Sequence, residues 1–132
     1  FGAAEANGIP QYYRHFIQNL GYYSSLDDLL LVHAGFNFEA ADPFRDYEAM
    51  LWIRGFQPDP ALTKGRPIIH GHTPRPFDRI QANLEEEHPQ TINIDNGCAY
   101  PKPGMQGLVA LDLDTFALTR QPNVEPLADS TS

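Results

Sequence analysis

Pro67-Ile68-Ile69-His70-Gly71-His72-Thr73-Pro74 is the stretch whose reading decides the fold. Apolar, β-prone residues run into two histidines separated by one glycine, and a proline follows almost at once. The pattern predicts a short buried strand that ends in a tight turn and delivers imidazoles at its carboxyl end. In open α/β sheets that edge is where ligands sit. A second strand-end histidine comes earlier, in Leu29-Leu30-Leu31-Val32-His33-Ala34-Gly35. Two histidines presented in this way predict a single site and an α/β fold.

The flanking sequence fits that frame. Asp28 to His33 reads as a strand covered on both faces. Before it, Tyr13, Phe16, Ile17 and Leu20 follow Pro10 at helical spacing, so residues 10–20 are expected to form an amphipathic helix that buries one stripe. Gly21 is placed to end it in a left-handed cap, and Tyr22 to Ser25 then connect it to the strand. Asp42 and Pro43 are suited to cap and open a helix over 43–52, with Phe44, Tyr47 and Leu51 on one face and Gly55 as its stop. Pro58 and Pro60 are expected to keep the next segment extended or looped. Residues 75–90 are polar, and Glu85-Glu86-Glu87 reads as a solvated loop. Thr91 to Ile94 reads as a strand closed by the turn signal Asp95-Asn96-Gly97. An irregular loop through Pro101 and Pro103 leads to a hairpin, Leu108–Leu111 and Phe116–Thr119, around Asp112-Leu113-Asp114-Thr115. The tail, residues 122–132, is expected to be flexible.

Composition excludes several function classes. The net charge of −8 argues against a nucleic-acid polymer held through its phosphates. The sequence has no apolar run near the roughly 18 residues that a membrane helix needs, and Phe1-Gly2-Ala3-Ala4-Glu5 lacks the features of a signal peptide. The single Cys98 forms no internal disulfide, so a cytoplasmic setting is the simplest expectation.

His33 and His72 are the candidate metal ligands, because neutral imidazole suits transition metals and the small residues beside them leave room for an ion. His70 precedes the turn and points the other way, toward a supporting or packing role. Arg54, after Leu51-Trp52-Ile53, could grip phosphate or carboxylate with two parallel hydrogen bonds, or close a helix through its dipole. Asp95 and Asn96 are explained most economically as turn residues, and Cys98 as a small core or loop residue. The sequence has neither a glycine-flanked nucleophilic serine nor a P-loop.

Four motifs in order, Leu31-Val32-His33-Ala34-Gly35, Leu51-Trp52-Ile53-Arg54-Gly55, His70-Gly71-His72-Thr73-Pro74 and Ile92-Asn93-Ile94-Asp95-Asn96-Gly97, resemble the calcineurin-like metallophosphoesterases. They look most like the bacterial branch of serine/threonine protein phosphatases and symmetrical diadenosine tetraphosphate hydrolases. Arg14 to Leu20 and the closing hairpin fit as well, so the likeness spans roughly residues 10–120. Pro74 stands where many broader members have another histidine, which favours the phosphatase-like branch. Asn96 stands where threonine is commoner.

The resemblance implies a four-layer α/β/β/α sandwich and a centre of two divalent ions (Mn, Fe or Zn). His33 and His72 would bind the second metal, and Arg54 the substrate phosphoryl oxygens. His70, Asp95 and Tyr100 would support the site or lie in a substrate loop. The implied reaction is direct attack of a metal-bridging hydroxide on a phosphorylated protein, a small phosphate ester or a dinucleotide. The family's Asp-x-His and Asn-His-Glu motifs are not in the sequence. Residues 1–132 are therefore expected to be the C-terminal half of one domain, inactive alone. The rival expectation is an interaction domain that keeps the scaffold without the chemistry.

Overall fold

Tyr23–Ser25 (β1) pairs antiparallel with Leu30–Val32 (β2), which runs parallel to Ile68–His70 (β3), itself parallel to Thr91–Asn93 (β4). This sheet belongs to a computed structural model that describes residues 6–125. The register sets Leu31 opposite Ile69 and Ile69 opposite Ile92, while Leu30 lies opposite Ile68 and Ile68 opposite Thr91. Because side chains alternate along a strand, these are two rows on opposite faces. On one face Leu30, Val32 and Ile68 pack with Phe36 and Met50. On the other, Leu29, Ile69 and Ile92 pack with Leu31, Leu84, Ile94, Leu111 and Leu113. Full burial of one such side chain stabilises the fold by about 2 kcal/mol, so the alternation leaves little freedom of register.

The crossover from β2 to β3 carries helices α2 (Tyr47–Trp52) and α3 (Pro60–Thr63), and that from β3 to β4 carries α4 (Phe77–Leu84). Helix α1 (Gln11–Gln18) precedes the sheet. Gly107–Leu111 (β5) and Leu118–Pro122 (β6) form a separate antiparallel hairpin. The chain is thus a mixed α/β fold. Among the described residues no helix is long and apolar enough to cross a membrane.

Several expectations need correction. The stripe on α1 is not buried: Tyr13, Phe16, Ile17 and Leu20 are all exposed, and the sheet face is filled instead by the cluster around Phe36. The helix closes at Asn19, whose side-chain amide donates to the His15 carbonyl, and Gly21 stays out of the left-handed region. Tyr23 to Ser25 form an edge strand, because the exposed side of β2 offers its backbone a partner. The single helix over 43–52 is two pieces. Asp42 caps a 3₁₀ turn at Pro43–Arg45, then Asp46 accepts from the Ala49 N–H and starts α2 afresh. Pro60 begins a helix instead of preventing one, since Asp59 caps it and a first-turn proline has no donor to lose. Residues 77–84, expected within a polar stretch, form α4, whose Ile80 is buried. Of the tail, Pro122 ends the last strand and Asn123 donates from its side chain to the Cys98 carbonyl; residues 126–132 lie outside the described residues.

One buried polar group ties these parts together. The Asn96 side-chain amide donates to the carbonyls of Arg75 and Gly104, and its oxygen accepts from Arg120 Nε at 2.8 Å. Arg120 also donates to the Met105 carbonyl and lies over the Phe77 ring. The loop after β4, the start of α4 and strand β6 therefore meet at Asn96. Replacing it strands several buried partners, so Asn96→Ala should lower unfolding free energy by about 3 kcal/mol in urea denaturation.

The hairpin turn depends on Asp112, whose carboxylate accepts from the Thr115 and Asp114 N–H groups. Those bonds hold its pKa below the ordinary 3.8, Thr115 contributing most. Its folded pKa lies below the unfolded one, so the stabilisation is complete above the unfolded value and disappears as pH falls through the folded one. Asp112→Asn should remove this part of the acid sensitivity, measured as the shift in urea midpoint between about pH 5 and about pH 2.

Candidate functional site

The parallel ladder runs one step past each strand. The Gly71 N–H donates to the His33 carbonyl at 2.8 Å, and the Ile94 N–H to the His70 carbonyl at 2.9 Å. Residues that follow β2, β3 and β4 are thereby lined up at the carboxyl edge of the sheet. Gly35, just past His33, has a positive φ, and a side chain there would overlap the Phe56 ring. Only glycine lets the chain turn away at that point.

At this edge His33 Nε2 lies 3.2 Å from His72 Nδ1, with the ring planes inclined by 60°. His72 has a φ of 69°, a left-handed conformation that few side chains adopt. The edge of Trp52, at the end of α2, meets its imidazole at a centroid distance of 5.8 Å. The other ring nitrogen, His72 Nε2, is buried with no hydrogen-bond partner among the described residues. One nitrogen of a neutral imidazole donates and the other accepts, so this orphan disfavours the arrangement as it stands by about 1–3 kcal/mol.

Both histidines line an open depression of about 550 Å³, with Tyr22, Leu31, Ile69 and Asp95 among its walls. Asp95 uses one carboxylate oxygen to accept from the Gly97 N–H, closing the turn after β4. The structure thus brings His33, His72 and Asp95 to one concavity. It sets Arg54 elsewhere, in a cavity of about 120 Å³ with Phe56, His70, Thr73, Arg75 and Asn93. His70 borders both spaces. Its ring meets Phe56 edge to face at 5.1 Å. Burial pushes its pKa below 6.5 against hydrogen bonding to the Gly71 and Ala34 backbone, and the Arg75 charge adds to the lowering. Tyr100 is exposed, outside the wall of the depression, with the Lys102 ammonium 5.9 Å from its ring.

The spacing of the imidazole pair fits a shared ion. Two nitrogens bound tetrahedrally to one Zn²⁺ at about 2.05 Å stand roughly 3.3 Å apart. Among the described residues, however, no group of three or more His, Cys, Asp or Glu side chains is placed to hold a metal. The donor set fits part of a coordination shell.

Two supporting residues escaped sequence reading. Asn93 donates from its side chain to the Thr73 carbonyl at 2.8 Å and accepts from the Asp95 N–H at 2.9 Å, holding the loops after β3 and β4 together. Its signal was a polar residue within Ile92-Asn93-Ile94, since a buried amide in an apolar strand needs partners. Trp52 gave no signal beyond its place on an amphipathic helix, yet its ring meets that of His72.

Compared with known protein families, curated proteins and solved structures, the chain has no match.

The backbone at His72 gives a direct test of strain. His72→Gly should be more stable than His72→Ala by about 1 kcal/mol in chemical denaturation, because both delete the imidazole but only alanine must hold a positive φ.

Proposed function

We propose that the chain contributes His33 and His72 to one ion of a two-metal centre, as the C-terminal half of a calcineurin-like metallophosphoesterase that acts on phosphate esters of the protein-phosphatase kind. The observation that carries this reading is the convergence of two ring nitrogens to 3.2 Å at the carboxyl edge of a parallel sheet. The remaining ligands would come from the other half of the domain. The half-exposed sheet face around Leu31 and Ile94, and the exposed stripe on α1, are surfaces for that half to cover. Together they support a four-layer α/β/β/α sandwich.

Bound there, the metal pair would activate water and neutralise charge on the phosphoryl oxygens. This chain would do the rest through position. Trp52 fixes the His72 ring, and Asn93 holds the loops that carry His72 and Asp95. Arg54 would take phosphoryl oxygens: its guanidinium makes no hydrogen bond or ion pair with another described residue, and it lies two residues beyond Trp52.

Titration of the chain with Zn²⁺, followed calorimetrically, should reveal one site that His33→Ala and His72→Ala each weaken at least about tenfold. His70→Phe should leave it nearly unchanged; equal loss in that variant, or none in the other two, overturns the assignment. In the full-length protein, Mn²⁺-dependent turnover of a phosphopeptide should exceed that of diadenosine tetraphosphate. Arg54→Ala should lower kcat/KM by roughly 10²-fold with metal content intact.

A further inference from the structure

The other face of the sheet carries a group of arginines of which the metal reading uses Arg54 alone. The 120 Å³ cavity holding Arg54 adjoins a larger one of about 520 Å³ against α4, and both are walled by His70, Arg75, Thr91 and Asn93. Arg79 lines the larger space. Three of the seven arginines therefore surround one cleft, in a chain with 17 acidic and nine basic residues. Among the described residues, no Asp or Glu lines either cavity. Asp78 accepts from the Arg79 N–H and Asp95 from the Gly97 N–H.

Arg66 and Arg120 are held by hydrogen bonds to uncharged carbonyl, hydroxyl and amide oxygens. At Arg54, Arg75 and Arg79 no side-chain hydrogen bond or ion pair joins them to another described residue. The hydroxyls of Thr73 and Thr91 in the same walls are likewise unbonded among the described residues. A water occupies about 30 Å³, so the smaller cavity has room for one tetrahedral oxyanion, and the larger one extends that room.

We propose that Arg75 and Arg79 make the larger part of this cleft an anion site for a phosphate-class oxyanion, distinct from the imidazole pair and from the phosphoryl position given to Arg54. Guanidinium forks match phosphoryl oxygens through paired N–H donors. The anion is either a free polyphosphate or a second phosphoryl group of a larger ester.

Calorimetry with tripolyphosphate and with inorganic phosphate tests this on the chain itself. Tripolyphosphate should bind more tightly than phosphate. The double substitution Arg75→Gln with Arg79→Gln should weaken it at least tenfold. Arg14→Gln with Arg45→Gln, an equal change in net charge on other surfaces, should leave it within twofold, as should His33→Ala. All four positions lie on the surface, so circular dichroism should show folded variants. Amide shifts on tripolyphosphate addition should centre on Thr73, Arg75 and Asn93. Equal weakening by both arginine pairs, or loss in His33→Ala, overturns the proposal. Failure of Zn²⁺ binding at His33 and His72 with tripolyphosphate binding intact would sink the metal reading alone. Tripolyphosphate competing with ester turnover in the full-length protein identifies the substrate's own phosphoryl group as the occupant; inhibition without competition identifies a free anion.

Discussion

One backbone hydrogen bond organises the carboxyl edge: the Gly71 N–H to the His33 carbonyl. It extends the β2–β3 pairing beyond the last assigned strand residue, so two loops leave the sheet side by side. Without it His33 and His72 would belong to separate loops. With it, the ring nitrogens meet at 3.2 Å. The bond in turn relies on the apolar rows through Ile68 and Ile69, which set the register of β3 against both neighbours. A slip of one residue would exchange the faces of every side chain in that strand.

The same register divides the chemistry between two faces. His70 borders the depression, but its ring lies against Phe56, where burial favours its neutral form. A side chain at Gly71 would crowd Asp95, and His72 returns to the first side at a positive φ. The sequence His-Gly-His thus feeds both faces of one strand end. Strain at His72 and the unsatisfied Nε2 are both unfavourable locally, a combination expected where a fold holds a group ready for a partner. The arginine cleft also holds Arg54 and Asn93, so the two are separated by substitution at Arg75 and Arg79.

The hairpin and the loop after β4 are joined to the sheet by polar means. Asn96 saturates its hydrogen-bonding groups with Arg75, Gly104 and Arg120, and Arg120 continues the network to Met105. Buried polar groups satisfied in this manner specify one arrangement of loops where apolar contacts alone would tolerate several.

The sequence by itself determined the three parallel strands, the turn after β4 and the hairpin, because apolar runs bounded by Gly, Pro and Asx residues encode them locally. It also marked His33, His70 and His72 as strand-end residues. It misjudged α1, where the 3.6-residue period signals a helix but says nothing of what lies against it. It missed α4, where Phe77, Ile80 and Leu84 share a face amid polar residues. It gave no hint of β1, which exists because β2 offers an open edge. Only the tertiary structure decided that His33 and His72 face each other, that Arg54 joins Arg75 on the opposite face, and that Asn96 meets Arg120. Each of these pairs spans 21 or more positions, and local propensity carries no information at that separation. Strand order and register supply it, because they convert distant positions into neighbours.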